Sequence, residues 1–441
     1  MTCIILAAGK GTRMKSKYPK VLHEILDIPI INWVVKTSQK ILADEIIVIT
    51  GYKAQLVEEV LPEGTLCVRQ EEQLGTGHAV MMAYDFIPDE EVVVLNGDVP
   101  FISEETLKEF LKFRKDNNFQ AAVLSMVLES PAHYGRIIHG KEKIEIREFR
   151  DTNDDEKKID EVNSGIYCFD GKFLKKALNN LDNNNDQKEF YLTDTLGMAD
   201  KSGSLIVKDN FEVLGINDRK ELAFMNKSAK ERINNNLVES GVTILDPETT
   251  WIGPEVEVGM DTIIYPYTYI SGKTIIGEDC KIGPMTRLHE SNVNNNVVIQ
   301  RSEVEFSNID KNVSIGPWSR LRKGNKIEEN VKIGDFVELK KTKIGKNSKA
   351  QHLSYLGDTK LGENVNIGAG TITCNYDGTN KHKTEIGNEA FIGSNSSLVA
   401  PVKIGKSSLI GAGSVITEDV PDNALALGRG RQITKKDRIK K

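Results

Sequence analysis

The sequence predicts a two-domain α/β chain. A Rossmann-like N-terminal domain with a mostly parallel sheet is joined by a linking helix to a C-terminal parallel β-helix. In the first part of the 441 residues, short apolar runs alternate with helical patterns, which is the βαβ rhythm of a parallel sheet. Beyond Gly241, aliphatic residues recur with a period of six, which indicates a β-helix.

The N-terminal domain is predicted over residues 1–219. Its apolar runs are CIILAA, EIIVIT and VVVLNGD, with helical patterns between them. Ligand-binding loops gather at the carboxyl ends of parallel strands. Two segments directly follow such runs: a glycine-rich loop after Ala8, and Asp98. We therefore expect a ligand site at this edge of the sheet.

The linking helix is predicted over residues 220–240. The segment DRKELAFMNKSAKERINNNLVE contains neither glycine nor proline. Its apolar residues recur at helical spacing, at Leu222, Met225, Ala229 and Ile233.

The β-helix is predicted over residues 241–441 and consists of hexapeptide repeats. Glycine follows many of the inward aliphatic residues, and we expect these glycines to help turn the corners. Three hexapeptides form a triangular coil of about 18 residues, so the domain should contain on the order of ten coils. The aliphatic series are Ile252, Val258, Ile264, Ile270, Ile276, Ile282 and Leu288; Ile309, Ile315, Leu321, Ile327, Ile333 and Leu339; and Ile386, Ile392, Leu398, Ile404, Ile410 and Ile416.

Composition and charge exclude several classes of protein. The net charge of −6 argues against a nucleic-acid surface, although the tail from Arg429 to Lys441 is locally basic. The first apolar run is too short for a secretory signal or membrane anchor, and its basic residues lie on the wrong side. Five cysteines without a CxxC pair fit a reducing compartment. We therefore expect a cytoplasmic protein with neither nucleic-acid nor membrane partners.

The loop from Leu6 to Met14 reads LAAGKGTRM and is followed by Pro19-Lys20. Its glycines allow backbone N–H groups to approach phosphate oxygens. The loop resembles the signature of the sugar-phosphate nucleotidylyltransferases. Further motifs of that family occur in the same order: the segment 70–79, Asn96–Pro100, Tyr134–Arg136, Glu148, Asn163–Gly165 and Gly215–Asn217.

This resemblance implies attack of a sugar-1-phosphate oxygen on the α-phosphorus of a nucleoside triphosphate, a reaction that depends on positioning and charge neutralisation. It assigns Mg²⁺ to Asp98 and Asn217, and phosphate charge to the catalytic Arg13 and Lys20. Gln70, Gly75 and Thr76 should read the uracil. Gly135, Glu148 and Asn163 should hold the amino sugar. The full predicted set for UTP and UDP-N-acetylglucosamine is Leu6, Ala7, Ala8, Gly9, Lys20, Gln70, Gly75, Thr76, Gly135, Glu148, Asn163 and Asn217.

The β-helix carries a second group of motifs. They are Gly334–Lys341, Lys349–Asp358, Asn366–Thr371, Asn375–Gly378 and Lys381. With them, essentially the whole chain resembles the bacterial bifunctional family that makes UDP-N-acetylglucosamine. That family combines glucosamine-1-phosphate N-acetyltransferase and N-acetylglucosamine-1-phosphate uridylyltransferase activities, as required for peptidoglycan and lipopolysaccharide precursors. The resemblance also implies that the β-helix is left-handed, against the usual right-handed crossover rule.

The resemblance assigns roles in the second site. His352 is the expected general base, because acetylation of an ammonium requires removal of a proton near neutral pH. Backbone N–H groups near Gly368 and Ala369 are candidates for stabilising the oxyanion. The expected sugar-phosphate ligands are Arg322, Lys340, Tyr355, Asn366 and Lys381. The expected acetyl-CoA ligands are Ala369, Asn375, Tyr376, Ser394, Ala412 and Arg429.

The resemblance further implies a homotrimer with acyl-transfer sites at its interfaces. The expected small-molecule partners are glucosamine-1-phosphate, N-acetylglucosamine-1-phosphate, UTP and acetyl-CoA, with Mg²⁺ as cofactor. Two alternatives remain open. One is a single-activity nucleotidylyltransferase whose β-helix is structural or regulatory; the other is a scaffold that keeps both folds without catalysis.

Overall fold

The computed structural model of the chain describes residues 1–41, 43–131, 133–185 and 187–436. It contains two compact units, Met1–Asn226 and Lys227–Lys441. The division falls within a helix, so the predicted domain limits at 219 and 240 remain predictions. Residues 437–441, the end of the predicted basic tail, lie outside the described residues.

The N-terminal unit is an α/β fold. Its strands are β1 Thr2–Ala7, β2 Glu24–Ile25, β3 Ile28–Pro29, β4 Glu45–Thr50, β5 Leu66–Arg69, β6 Glu91–Asn96, β7 Ala121–Val127, β8 Arg136–His139, β9 Ile144–Arg147, β10 Glu161–Asp170 and β11 Ser202–Ile206. Its α-helices are α1 Ile30–Lys40, α2 Ala54–Glu58, α3 Thr76–Met81, α4 Glu104–Asp116, α5 Gly171–Leu178 and α6 Asp194–Met198, and α7 Arg219–Glu239 follows. Short 3₁₀ turns lie at Thr12–Met14, Lys20–Leu22, Tyr84–Phe86, Phe149–Asp151, Glu156–Lys158 and Asn210–Val213.

The main sheet is mostly parallel, with β9 and β10 reversed. Among the described residues it has nine strands: seven lie in the order β11-β7-β10-β6-β1-β4-β5, and β8 and β9 extend from β10. Strand β1 pairs in parallel with β4 and β6, whereas β10 is antiparallel to β6 and β7. Successive side chains of β1 enter opposite cores, Ile5 on one face and Ile4 on the other. This double burial explains why the strands read as continuous apolar runs.

Two of the apolar residues that predicted helix α7, Met225 and Ala229, are buried. In the second unit the helix is fastened to the first coil by polar groups. Lys230 is buried and donates a hydrogen bond of 2.8 Å to the carbonyl oxygen of Glu248. The amide of Asn234 donates to two carbonyl oxygens of the same segment. No helix within the described part of the chain is long and apolar enough to cross a membrane.

The second unit is a parallel β-helix with three faces, each a stack of short strands. Face 1 comprises Thr243–Ile244, Ile263–Ile264, Lys281–Ile282, Val298–Ile299, Ser314–Ile315, Lys332–Asp335, Lys349–His352, Asn366–Ile367, Phe391–Ile392, Leu409–Ile410 and Leu425–Ala426. Face 2 comprises Trp251–Ile252, Tyr269–Ser271, Arg287–His289, Glu303–Glu305, Arg320–Leu321, Glu338–Lys340, Tyr355–Gly357, Ile372–Cys374, Ser397–Val399 and Val415–Ile416. Face 3 comprises Glu257–Val258, Ile275–Ile276, Asn292–Val293, Ser307–Ile309, Asn325–Ile327, Lys343–Ile344, Thr359–Leu361, Thr384–Ile386 and Val402–Ile404.

The aliphatic residues that recur every six positions in the sequence form the inward face of these coils. The three aliphatic series form one continuous core, in which Val258 alone of the predicted residues is only partly buried. Most of the glycines do not act as expected, although Gly283 and Gly316 do have a positive φ at their corners. Gly259 and Gly277 lie at corners without a positive φ, and a Cβ on Gly259 would stand 2.7 Å from the carbonyl carbon of Gly277 in the next coil. These glycines permit close stacking of the coils rather than the turn itself.

Other residues adopt the left-handed corner conformation. The corner between faces 3 and 1 uses Asp and Asn, which tolerate a positive φ. Asn330 there donates a hydrogen bond to the side chain of Asn347 in the next coil, 3.1 Å away. The corner between faces 1 and 2 instead carries bulky side chains with φ between 45° and 61°, of which Arg301 is the charged one. We call the exposed residues Tyr267, Met285, Trp318, Phe336 and Leu353 the apolar corner.

Candidate active sites

The glycine-rich loop of the N-terminal unit is shaped to bring Lys20 inward. Gly11 has a φ of 60°, a conformation that favours glycine. A Cβ at this position would stand 2.5 Å from the Cβ of Lys20. The loop therefore turns back onto the segment that begins with Pro19.

One cavity of about 310 Å³ collects most of the residues predicted for this site. The predicted residues that line it are Leu6, Ala7, Ala8, Gly9, Lys20, Gln70, Gly75, Thr76 and Asp98. Sequence reasoning assigned no role to the other lining residues Val21, Gln73, Ala79, Asn96 and Glu189. The buried Gln70 side chain donates to the carbonyl oxygen of Gly75 and contacts His78 Nδ1. The amide oxygen of Gln70 accepts no hydrogen bond from the described residues.

Four polar side chains meet at one end of this cavity. The Lys20 ammonium donates to Asp98 Oδ2 and, over 3.3 Å, to Asn217 Oδ1. Arg13 donates to the same Asn217 oxygen over 2.8 Å. The Ile216 N–H binds the Asp98 carbonyl oxygen, which ties the segment before Asn217 to the end of β6. Residues more than 200 positions apart thus form one network.

The donor set at this end suits Mg²⁺. The oxygens of Asp98 and Asn217 lie near enough to contact one ammonium together, so one small cation can reach both. Mg²⁺ is typically held by one or two carboxylates together with substrate phosphates and water. Among the described residues, no cluster of three or more His, Cys, Asp or Glu side chains could hold a metal. A site here would therefore depend on oxygens from the substrate.

The residues predicted for the amino sugar lie apart from the lining of this cavity. The Asn163 N–H binds the Gly135 carbonyl oxygen, and a Cβ on Gly135 would stand 3.5 Å from Glu148 Oε2. Glu148 lines a second cavity of about 350 Å³. Burial, followed by the charges of Asp151 and Asp194, raises the pKa of Glu148.

Sequence reasoning missed Asp194 in this second cavity. Burial, followed by the charges of Asp182 and Asp151, raises the pKa of Asp194 to about 6. Perturbed carboxyl groups in clefts are candidates for function. The only signal in the sequence was an unremarked YLTD segment, and nothing in that pattern indicated that it faces Glu148.

In the second unit, His352 ends a strand of face 1 and is exposed. Its neighbour in the preceding coil is Asp335. The equivalent positions in the following coils are Ala369, Ser394 and Ala412, each two residues beyond an inward aliphatic residue. Arg429 closes this column by donating to the Ala412 carbonyl oxygen over 2.8 Å. Four predicted acetyl-CoA ligands therefore form a continuous strip that starts beside the histidine.

Of the two backbone N–H groups proposed to stabilise the oxyanion, those of Gly368 and Ala369, only one is without a partner among the described residues. The Gly368 N–H is engaged with the Ile392 carbonyl oxygen at 2.8 Å, so it is not free for a ligand. The Ala369 N–H donates to no group among the described residues, while its carbonyl oxygen accepts from Asn395. Ala369 is thus the remaining candidate of the pair.

Three predicted sugar-phosphate ligands form a cluster of positive charge. The adjacent Lys381 ammonium contributes most, followed by burial and the Arg322 guanidinium, and together they lower the pKa of Lys340 against the opposing charge of Asp358. Arg322 also pairs with Glu338 at 3.1 Å. Tyr355 is half-buried on face 2, whereas Asn366 lies on face 1 beside Lys349. No hydrogen bond or ion pair of the described chain joins His352 to this cluster.

The remaining predicted ligands, Asn375 and Tyr376, begin a loop beyond face 2. Asn375 is buried and donates to Asp358 Oδ2 over 2.6 Å. Tyr376 is exposed. Sequence reasoning quoted Asp358 within a motif but assigned it no role.

Comparison with known proteins identifies the families of both parts of the chain. The Nucleotidyl transferase family matches residues 2–212, and the Bacterial transferase hexapeptide family matches residues 250–290 and 383–418. The curated protein "Bifunctional protein GlmU" of Fervidobacterium nodosum is 58% identical over 442 residues, covering 100% of this chain and 97% of its own length. The chain belongs to the GlmU family.

Other members of the GlmU family extend the match. The Thermotoga maritima protein is 51% identical over 436 residues and covers 99% of this chain. The Carboxydothermus hydrogenoformans protein is 48% identical over 447 residues, and the match covers both chains fully. These relatives confirm the predicted family and fold class, a nucleotidyl transferase domain followed by a left-handed hexapeptide β-helix. The chain is a bifunctional transferase.

Proposed function

We propose that this chain makes UDP-N-acetylglucosamine in two steps at two sites. The β-helix transfers acetyl from acetyl-CoA to glucosamine-1-phosphate. The N-terminal unit then couples the N-acetylglucosamine-1-phosphate to UTP, with release of pyrophosphate. The observation that carries this proposal is the positive cluster of Arg322, Lys340 and Lys381, which a purely structural β-helix would not need.

The uridylyl step requires a sugar phosphate oxygen to attack the α-phosphorus of UTP while pyrophosphate leaves. Arg13 and Lys20 would neutralise phosphate charge, since both already converge on the Asn217 oxygen. The free amide oxygen of Gln70 suits the N–H group of uracil. Gly9, around which no atom lies within 4 Å of a Cβ position, would leave room for the triphosphate.

Asp98 and Asn217 are the residues that would hold Mg²⁺. The ion would supply charge neutralisation and orientation at the phosphates. Lys20 now contacts both of these oxygens, so its ammonium would turn toward the phosphates when substrate binds. The metal requirement remains a proposal.

The acetyl step requires the amine lone pair to attack the thioester carbonyl. His352 would accept the proton from the amine, and the thiolate of CoA would leave. The Ala369 N–H would donate to the oxyanion. The strip of Ala369, Ser394 and Ala412 gives the pantetheine arm a narrow track of small residues, with the cationic Arg429 at its end.

The positive cluster fits the phosphate of the sugar. Like charges repel, so cations held together are stabilised by a shared anion. Arg322, Lys340 and Lys381 come from three different coils, and no single carboxylate among the described residues pairs with all of them. A phosphate group could bind all three at once.

We also propose a homotrimer, assembled through the apolar corner. Left-handed backbone costs an ordinary residue roughly 1–2 kcal/mol, yet here it presents aromatic and aliphatic side chains to solvent. After His352 the same corner carries Gly370, Asn395 and Gly413. A second copy of the chain covering the earlier coils would bury the apolar side chains and leave the acetyl-CoA strip open.

Light scattering tests this assembly. The wild-type chain should have the mass of a trimer, and Trp318→Asp should lower it toward a monomer. The control is Asn330→Asp, at the polar corner of the same region. A monomeric wild-type chain with full acetyl transfer would contradict the proposed trimer.

Product analysis tests the two reactions together. Glucosamine-1-phosphate, acetyl-CoA, UTP and Mg²⁺ should yield UDP-N-acetylglucosamine by mass spectrometry, and omission of acetyl-CoA should abolish it. If N-acetylglucosamine-1-phosphate alone is accepted, the chain is a single-activity nucleotidylyltransferase. The five free cysteines favour a cytoplasmic location for this chemistry.

A further inference from the structure

One coil of the β-helix is longer than its neighbours. On face 3, Ile344 pairs with Leu361, 17 residues later, but Leu361 pairs with Ile386, 25 residues later. The additional residues lie between the strands Ile372–Cys374 and Thr384–Ile386. We call residues 375–382 the inserted loop.

The inserted loop is a small hairpin closed at its base. The His382 N–H binds the Asn375 carbonyl oxygen over 2.8 Å, and Tyr376 and Lys381 form an antiparallel bridge. The Asn375 side chain anchors the base to Asp358. Gly378 at the tip has a φ of 101°, which requires glycine.

Asp377 is the centre of the polar contacts in the loop. Its Oδ1 accepts hydrogen bonds from the N–H groups of Thr379 and Asn380, at 2.8 and 2.6 Å. Its Oδ2 contacts His382 Nε2 at 2.7 Å. The Asn380 hydrogen bond first, and then the His382 contact, hold the pKa of this carboxyl well below its ordinary value. Neither Asp377 nor His382 has a role in the proposed acetyl transfer.

The hairpin is held by polar contacts, and Asp377 makes three of those from its carboxylate. Residues 376–381 are exposed, so apolar burial contributes little to their order. Lys381 in the returning strand must stay beside Lys340, although the two ammonium groups repel each other. A loop fixed by internal hydrogen bonds resists that repulsion, whereas a loose loop would let Lys381 move into solvent.

We propose that Asp377, with His382, is a positioning residue that folds the inserted loop and holds Lys381 in the phosphate-binding cluster. This inference rests on the proposed acetyl transfer to a sugar phosphate. Asp377 contacts no reacting atom in this account. It acts by placing the third cation of the cluster before the sugar phosphate arrives, so that less order has to be gained on binding.

Steady-state kinetics of the full-length chain test the proposal. Asp377→Ala should raise the KM for glucosamine-1-phosphate about 10- to 100-fold, the usual effect of losing a hydrogen bond to a charged group, while kcat changes much less. Asp377→Asn should restore the KM to within about threefold, because an amide oxygen can still accept from the two backbone N–H groups. The matched control is Asp419→Ala, which removes another exposed carboxylate that accepts a backbone N–H.

A double-mutant cycle separates positioning from general loop damage. Lys381→Ala should raise the same KM, and adding Asp377→Ala should raise it by less than about threefold more, because the two changes remove one interaction. An unchanged KM in Asp377→Ala, or effects of the two changes that simply multiply, would overturn the proposal. If Asp377→Ala proves unstable, His382→Ala takes its place in the cycle with a smaller expected effect.

Two activities distinguish this inference from the proposed function. Wild-type protein that releases no thiol from acetyl-CoA would refute the acetyl transfer itself. If the wild-type protein releases thiol and the Asp377 variants have an unaltered KM for glucosamine-1-phosphate, only the positioning role is refuted. Uridylyl transfer by every variant should remain at the wild-type rate, which verifies that the N-terminal unit is folded; an unchanged kcat for acetyl transfer verifies the same for the β-helix.

Discussion

The two proposed sugar-phosphate sites differ in their balance of charge. In the N-terminal cavity, each cation contacts an oxygen, as Lys20 contacts Asp98 and Arg13 contacts Asn217. On the β-helix, the three cations Arg322, Lys340 and Lys381 outnumber the two carboxylates beside them, Glu338 and Asp358. A site that recruits a metal keeps as many oxygen ligands as cations. A site without a metal keeps an excess of positive charge for the substrate.

The largest effect that sharpens this comparison is expected at Lys20. Lys20→Ala should reduce kcat/KM for uridylyl transfer by about 10²–10³, the usual effect of removing one preorganised charge from a transition state. Acetyl transfer should be unaffected. The control is Lys40→Ala, an exposed lysine at the end of α1. A loss below about threefold in Lys20→Ala would show that the network is structural.

A smaller effect is expected from salt. The cluster on the β-helix is exposed, so raising the ionic strength from 0.1 to 1 M shortens the Debye length from about 10 to about 3 Å and should raise the KM for glucosamine-1-phosphate several-fold. The KM for N-acetylglucosamine-1-phosphate should change less, because the Lys20 and Asp98 side chains of its site are largely buried. Arg322→Ala should flatten the salt dependence of the first KM. Equal salt dependence at both sites would break the comparison.

The smallest effect concerns the acidic cavity of the N-terminal unit. The pKa of Asp194 is raised to about 6, so the folded chain binds this proton more tightly than the unfolded chain. The stability contributed by this group therefore falls as the pH rises from about 4 to 6. Asp194→Asn should raise the free energy of unfolding at pH 7 by less than about 2 kcal/mol, because the group is partly exposed and screened.

Thermal unfolding at pH 5 and pH 7 checks this prediction. The variant should gain more stability over wild type at pH 7 than at pH 5. The β-helix should unfold with the same pH dependence in both proteins. A variant that is less stable than wild type at pH 7 would contradict the assignment of the raised pKa.

Periodicity and motif position predicted those features of the fold and of the sites that depend on short stretches of chain. The six-residue spacing identified the inward residues of the β-helix, because each coil repeats one local pattern. The loop after Ala8 and Asp98 both follow parallel strands, so their meeting in one cavity could also be predicted. The individual roles of the site residues remain predictions.

Features that depend on packing between distant segments were not predictable. The reversal of β10 leaves no mark on residues 166–169, which are buried and apolar on both faces like the parallel neighbours β6 and β7. Most of the corner glycines were misjudged because close stacking between coils, not the turn, requires them there. The approach of Asp194 to Glu148, and the hydrogen bonds around Asp377, likewise follow from folded geometry.

The most direct test of the account uses two variants and two assays. Thiol release from acetyl-CoA with glucosamine-1-phosphate, and pyrophosphate release from UTP with N-acetylglucosamine-1-phosphate, would be measured for Asp98→Ala and His352→Ala. The account predicts that His352→Ala loses about 10²–10⁴ in acetyl transfer and keeps uridylyl transfer. Asp98→Ala should show the reverse. Loss of both activities in either folded variant, or full thiol release without His352, would contradict two separate active sites.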